Sequence, residues 1–293
     1  RRRRRNRRLG WTAAGLGAVA VAVVAVLAVQ ASARAAQVGP ANTRSDGIVL
    51  SGDGTAISAA RTTALDGGEQ PTATVVDRTS GVLDLVLYVD YRSPDAAALW
   101  TANGSAIQEW VTAGYATLEV HPLALAGDSD GGTAQGYAAR AAGALGCVAD
   151  TAPDSALAVH SALLAAQPDL DADGLDPDDL VTLVQDAGVT GTAVADCVTG
   201  GDFTDWAAEV TDRAADAVPF DVGAVSTSPV LLVGGEEYTG AVDDADALLA
   251  FVEEVSTRLS EEAAAAAGAT DGATDGATDA ATEGAAEGAT AEG

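Results

Sequence analysis

"VLDLVLYVDYRSPDAAALW", residues 82–100, decides how the rest of the chain is read. Its first half is an apolar run rich in Val, Leu and Tyr, the composition of a strand. At Ser93-Pro94-Asp95 the pattern changes. Serine is a good N-cap, proline is tolerated at the first helical position, and an acid in the first turn complements the helix dipole. From Pro94 to Val111, the residues Ala97, Leu99, Trp100, Ile107 and Val111 recur at roughly helical spacing. A strand therefore runs into a helix through a junction that carries a hydroxyl at Ser93 and a methyl at Ala96. Neither a cysteine nor a histidine stands there.

Working outward, "TATVVDRT" (72–79) reads as a strand paired with the apolar run, with "SG" as the turn between them. "YATLEVHPL" (115–123) alternates and reads as a further strand. From Thr133 to Val218 the pattern is helical, broken by "QPDLDADGLDPDD" and by glycines. "SPVLLVGGEEYTG" (228–240) reads as a strand, a Gly-Gly turn and a second short strand. Asp243 to Leu259 reads as a closing helix with Leu248, Leu249, Val252 and Val255 on one side. "GDGT" at 52–55 is a turn signal, and no phosphate-binding loop is present. Strand, helix, strand, a helical block, then a hairpin and a helix give an α/β layer with a long helical insertion.

The ends differ in kind. Residues 1–8, "RRRRRNRR", hold seven of the 15 basic residues, all of which are Arg. Leu9 to Val29 carries no charge and is long enough to cross a bilayer as a helix, for which about 20 apolar residues are needed. By the positive-inside rule the Arg-rich segment is expected to stay in the cytoplasm, 9–29 to span the membrane once, and the body to lie outside it. A signal cleaved near "ASA" (31–33) and a buried soluble helix are the alternatives. Residues 30–46 read as a linker, and 47–260 as the folded domain with its insertion at about 127–217. Residues 261–293, in which GATD repeats without aromatics, read as a disordered acidic tail. The net charge is −28 at pH 7, and the body without its Arg segment is more negative still. Phosphate would be repelled, so nucleic acid is excluded as a partner of the body.

This order of elements resembles the thioredoxin fold with an inserted helical domain, as in the DsbA-like thiol–disulfide oxidoreductases. "YVDYRSPDAAALW" is similar to the junction where that family carries Cys-Pro-X-Cys, and "VSTSPVLLVGGEEYTG" to its later loop with a cis X-Pro bond. "AARAAGALGCVAD" and "AVADCVTGGDFTDWAAE" resemble the insert helices of actinobacterial, membrane-anchored members. The resemblance spans roughly residues 47–255. It implies protein-disulfide oxidoreductase activity without a cofactor. The departure is severe, because Ser93, Pro94, Asp95 and Ala96 occupy the motif and both cysteine positions are lost. Thiol exchange needs a thiolate and a second thiol to resolve the mixed disulfide; a serine hydroxyl is too weak an acid and an alanine offers nothing.

What survives is a scaffold. The resemblance implies that the backbone beside Ser228-Pro229 pairs with an extended peptide, which requires main-chain groups rather than thiols. The expected function is therefore a redox-inactive envelope protein that binds peptide or protein partners near the membrane. An active oxidoreductase and a structural envelope component are the alternatives. Asp90 reads as a plain polar strand residue, and His121 and His160 as surface or partly buried histidines. The only cysteines, Cys147 and Cys197, lie in the insert. Export, the even count and the resemblance imply a structural disulfide, which would contribute on the order of 4 kcal/mol by loop closure. Two cysteines without neighbouring ligands do not make a metal site.

Overall fold

The computed structural model describes residues 39–65, 69–125, 136–216 and 223–282. Strands β1 (Ile48–Gly52), β2 (Ile57–Ala59), β3 (Leu83–Asp90), β4 (Ala116–Leu123), β5 (Val230–Val233) and β6 (Glu236–Glu237) form one sheet in the order β2-β1-β4-β3-β5-β6. β3 runs parallel to β4 and antiparallel to β5, so it sits in the middle, and all eight of its residues are buried. That position accounts for the apolar run. Helix α1 (Pro94–Thr112) is the crossover that a parallel β3–β4 pair requires.

Period-two alternation assigns the two faces. Leu85, Leu87 and Val89 of β3 join Leu118 and Val120 of β4 and Ile107 and Val111 of α1 in one core, with Leu248 and Val255 of the final helix. Val86 and Tyr88 face the other way, with Leu123, Val230 and Leu232, onto Trp206, Ala207 and Val210. Asp84 would be costly among these residues. It is held by a two-pronged bond from Arg78, with Nε and Nη2 each 3.0 Å from a carboxylate oxygen.

The segment 72–79 does not form the expected strand. Both edges of β3 are already taken, by β4 and β5, so no ladder position is left for it. It crosses the sheet instead: the Thr72 amide donates to the Arg44 carbonyl at 3.0 Å, and Val75 is 94% exposed. The hairpin is made earlier, by β1 and β2, around the "GDGT" turn. There Asp53 Oδ1 accepts from the amides of Thr55 and Ala56 at 2.8 and 2.9 Å and from the Thr55 hydroxyl at 2.6 Å. These bonds, led by the one from the Thr55 hydroxyl, draw the Asp53 carboxyl down to about 2.

The insertion comprises α2 (Tyr137–Thr151), α3 (Ala156–Ala166), α4 (Pro177–Asp186), α5 (Thr192–Gly200) and α6 (Thr204–Asp216). Its centre is α2, a helix of small residues that lets its neighbours approach closely. A Cβ on Gly146 would lie 3.1 Å from the Trp206 ring. Cys147 of α2 and Cys197 of α5 form a buried disulfide. Helix α7 runs from Ala245 to Thr282. It continues past residue 260 into the repeat tract, where alanine, the strongest helix former, outnumbers the glycines that oppose it. Residues 1–8, the apolar segment 9–29, positions 30–38 of the linker and 283–293 lie outside the described residues. Among the described residues, no helix is long and apolar enough to cross a membrane.

Candidate functional site

The end of β3, the start of α1 and the loop before β5 meet at one point. Ser93 has extended backbone angles and caps α1: its hydroxyl oxygen accepts from the Ala96 amide at 3.2 Å, with Pro94 and Asp95 in the first turn. The same hydroxyl donates to the Ser228 carbonyl at 2.7 Å. Ser228-Pro229 is a cis peptide bond. The structure therefore brings together two segments 135 positions apart. Pro94 and Asp95 are exposed, Ser93, Ser228 and Pro229 are half-buried, and the Ala96 methyl points into the core.

Asp90 is not a plain strand residue. It is 3% exposed and joins three segments. One carboxylate oxygen accepts from the Arg92 amide at 2.8 Å and the other from the Leu125 amide at 2.7 Å. Its own amide donates to the Ser228 hydroxyl at 2.7 Å. Buried carboxylates persist only where such donors replace water.

The insertion folds back onto the same junction. Gln167 Nε2 donates to the Arg92 carbonyl at 3.1 Å, and Arg92 Nη2 to the Ala172 carbonyl at 2.5 Å. Arg140 Nη2 donates to the carbonyls of Asp173 and Leu175 at 2.9 and 3.0 Å. Tyr137 stands among these groups. Burial pushes its hydroxyl up to about 12, the Asp90 charge adds to this, and Arg140 and Arg92 oppose it. Beside the junction a cavity of about 410 Å³ is lined by Pro94, Ala97, Ala98, Thr101, Gln167 and Pro168, among others.

Neither histidine serves Ser93, whose hydroxyl bonds to Ala96 and Ser228. Both histidines are buried, which corrects the sequence reading. His160 Nδ1 is 2.9 Å from the Tyr91 hydroxyl, and its ring makes a T-shaped contact with Trp100, centroids 4.4 Å apart. Complete burial lowers its pKa to about 3, so it is neutral at ordinary pH. His121 stacks on Tyr88 at 4.5 Å and lies 3.1 Å from a Glu119 carboxylate oxygen, which also takes the Ser45 hydroxyl. Burial alone would raise the Glu119 carboxyl, but the bonds from His121, Ser45 and Thr74 outweigh it and leave it lowered. Apart from His121 and Glu119, two positions apart on β4, these pairings join residues remote in sequence, so only burial demand could have hinted at them. Among the described residues, no three His, Cys, Asp or Glu side chains are placed to hold a metal ion.

A central β3 flanked by parallel β4 and antiparallel β5, a helix opening at Ser93, a cis-proline loop against it and a helical insertion after β4 define the DsbA-like thioredoxin fold. Solved structures agree. Oxidised DsbA of Mycobacterium tuberculosis superimposes with a TM-score of 0.52 at 22% identity, over 74% of this chain and 99% of that one. Reduced DsbG of the same organism, a disulfide bond oxidoreductase, gives 0.52 at 24% over 75% and 94%. BdbD of Bacillus subtilis gives 0.52 at 16% over 75% and 97%. No protein-family model and no curated protein sequence matches the chain.

Proposed function

We propose that this is a redox-silent DsbA-like domain that holds extended peptide segments of envelope proteins at the Ser228-Pro229 edge, tethered to the membrane through residues 9–29. The reading rests on one observation above others. The junction that meets the cis-proline loop carries Ser93 and Ala96, while Cys147 and Cys197 are consumed in a buried disulfide elsewhere. A hydroxyl and a methyl cannot accept or return electrons, and a buried structural disulfide offers no attackable sulfur. Main-chain groups beside Pro229 are independent of that loss, and strand addition draws its affinity from such groups.

The test has two arms. In an insulin-reduction assay the purified domain should give no turnover above buffer; measurable turnover that survives removal of contaminating oxidoreductases would overturn the redox-silent reading. In fluorescence anisotropy the domain should bind a labelled unfolded chain, reduced and carbamidomethylated α-lactalbumin, whose blocked thiols prevent exchange. Absence of binding at any accessible concentration would leave the scaffold without this role.

A further inference from the structure

The Ser228 carbonyl is the acceptor next to the cis-proline, and it is already engaged from within the chain. Ser93 donates its hydroxyl hydrogen to it at 2.7 Å, near the ideal length for such a bond. The neighbouring Ser228 hydroxyl is engaged too, by the Asp90 amide at 2.7 Å. Pro229 has no N–H to offer in compensation. The main-chain surface that would receive an extended peptide thus meets an internal donor first.

We propose that Ser93 is an intramolecular competitor for the peptide edge. Its hydroxyl holds one of the two acceptor positions of the Ser228 carbonyl, so that a peptide N–H has to share that oxygen with it or displace it before the edge can be extended. This inference rests on the peptide-binding reading above and specifies how that site is restrained. The competitor costs the chain little to keep, because the oxygen of the same hydroxyl caps α1 through the Ala96 amide whether or not its hydrogen is bonded to Ser228. In the redox-competent arrangement a sulfur at this position would be a weak donor. Serine therefore changes the junction twice: it removes the nucleophile and adds a strong donor aimed at the edge.

Capping and competition separate by substitution. Ser93→Ala removes both functions. Ser93→Asp keeps an acceptor for the Ala96 amide but has no hydrogen to donate to Ser228. Ser93→Thr retains acceptor and donor. Asp176→Ala removes the cap of α4, where the Asp176 carboxylate accepts from the Asp179 amide at 2.9 Å, and serves as a destabilised control outside the site. Each protein is titrated against labelled, carbamidomethylated α-lactalbumin, and its melting temperature is recorded.

Ser93→Ala and Ser93→Asp should bind roughly fivefold tighter, the equivalent of releasing one ordinary hydrogen bond. Ser93→Thr should reverse the gain. The melting temperature should fall for Ser93→Ala and Asp176→Ala, and less for Ser93→Asp, which loses the bond to Ser228 but keeps the cap, so that affinity follows the donor alone while stability also follows the cap. Equal affinities across the Ser93 series, or weaker binding by the Ala and Asp variants, would overturn the competitor while leaving peptide binding intact. No binding by any variant, Ser93→Ala included, would overturn the peptide-binding reading and the competitor with it.

Discussion

Replacing Asp90 tests whether a single carboxylate fastens the candidate site. Each of its oxygens accepts one backbone amide, from Arg92 at 2.8 Å and Leu125 at 2.7 Å, in surroundings where the side chain is almost fully buried. Asp90→Asn keeps one acceptor and turns an NH2 donor against the other amide. One charge-assisted bond is lost and one amide is left unsatisfied, together about 2 kcal/mol. Asp90→Ala abandons both amides and should cost about twice that, about 4 kcal/mol. For a domain of this size, the Asn variant should melt about 4–8 °C below the parent. Urea denaturation gives the free energies, and hydrogen exchange at the Leu125 amide reports the local loss. A difference between the two variants is the signature of two separate bonds. If both cost under about 0.5 kcal/mol, the carboxylate is solvated in solution and the account of the junction is wrong.

Installing the missing pair by Ser93→Cys with Ala96→Cys should create an intramolecular disulfide that dithiothreitol reduces. Its first thiol should titrate below the ordinary value at the helix N-terminus. A folded double variant that never forms the bond would mean that these positions do not correspond to the redox motif. Removing the Cys147–Cys197 bridge, by paired substitution with Ser, should lower stability by about 4 kcal/mol, read as a drop in unfolding midpoint that reductant no longer changes. Acid should weaken the fold partly through His160. Its folded pKa of about 3 lies below the ordinary 6.5, so the unfolded chain binds the proton first. Stability should therefore fall as pH drops from 6.5 towards 3, by an amount on the order of 5 kcal/mol, and His160→Phe should flatten that part of the profile. Glu119, held lowered by its hydrogen bonds, works in the same direction at lower pH, its contribution being lost as pH falls through its folded pKa.

The legible parts of the chain were those whose signals are local. A run buried along its whole length announces β3, and Ser-Pro-Asp followed by helical periodicity announces α1, which ends within a residue of its expected limit. Short edge strands are harder. β2 has three residues, too few for alternation to register, although the turn that joins it to β1 was visible. "TATVVDRT" has strand-like composition and forms no strand, because pairing depends on which edges remain free, and that is a property of the whole sheet. At the site, Ser93 as a cap and the pairing of Ser93 with the Ser228 loop could be anticipated, the first from helix chemistry and the second from resemblance. The roles of Asp90, Gln167 and Arg92 could not. Apart from the Arg92 amide, two positions from Asp90, their partners lie 35 to 138 positions away, and nothing local in an aspartate ending a strand indicates that three segments converge on it.

Residue 90 also has an architectural meaning. The helical insertion departs after β4 and returns just before β5, and both of its doorposts are bolted to this one position. The outgoing chain is held by Leu125 on the carboxylate, and the returning chain by Ser228 on the main-chain amide. A foreign helical module grafted between these strands would need only an amide at the first point and a hydroxyl at the second to sit in the same frame. Whatever cargo such a module brought, the proline loop would keep its place against the helix opening.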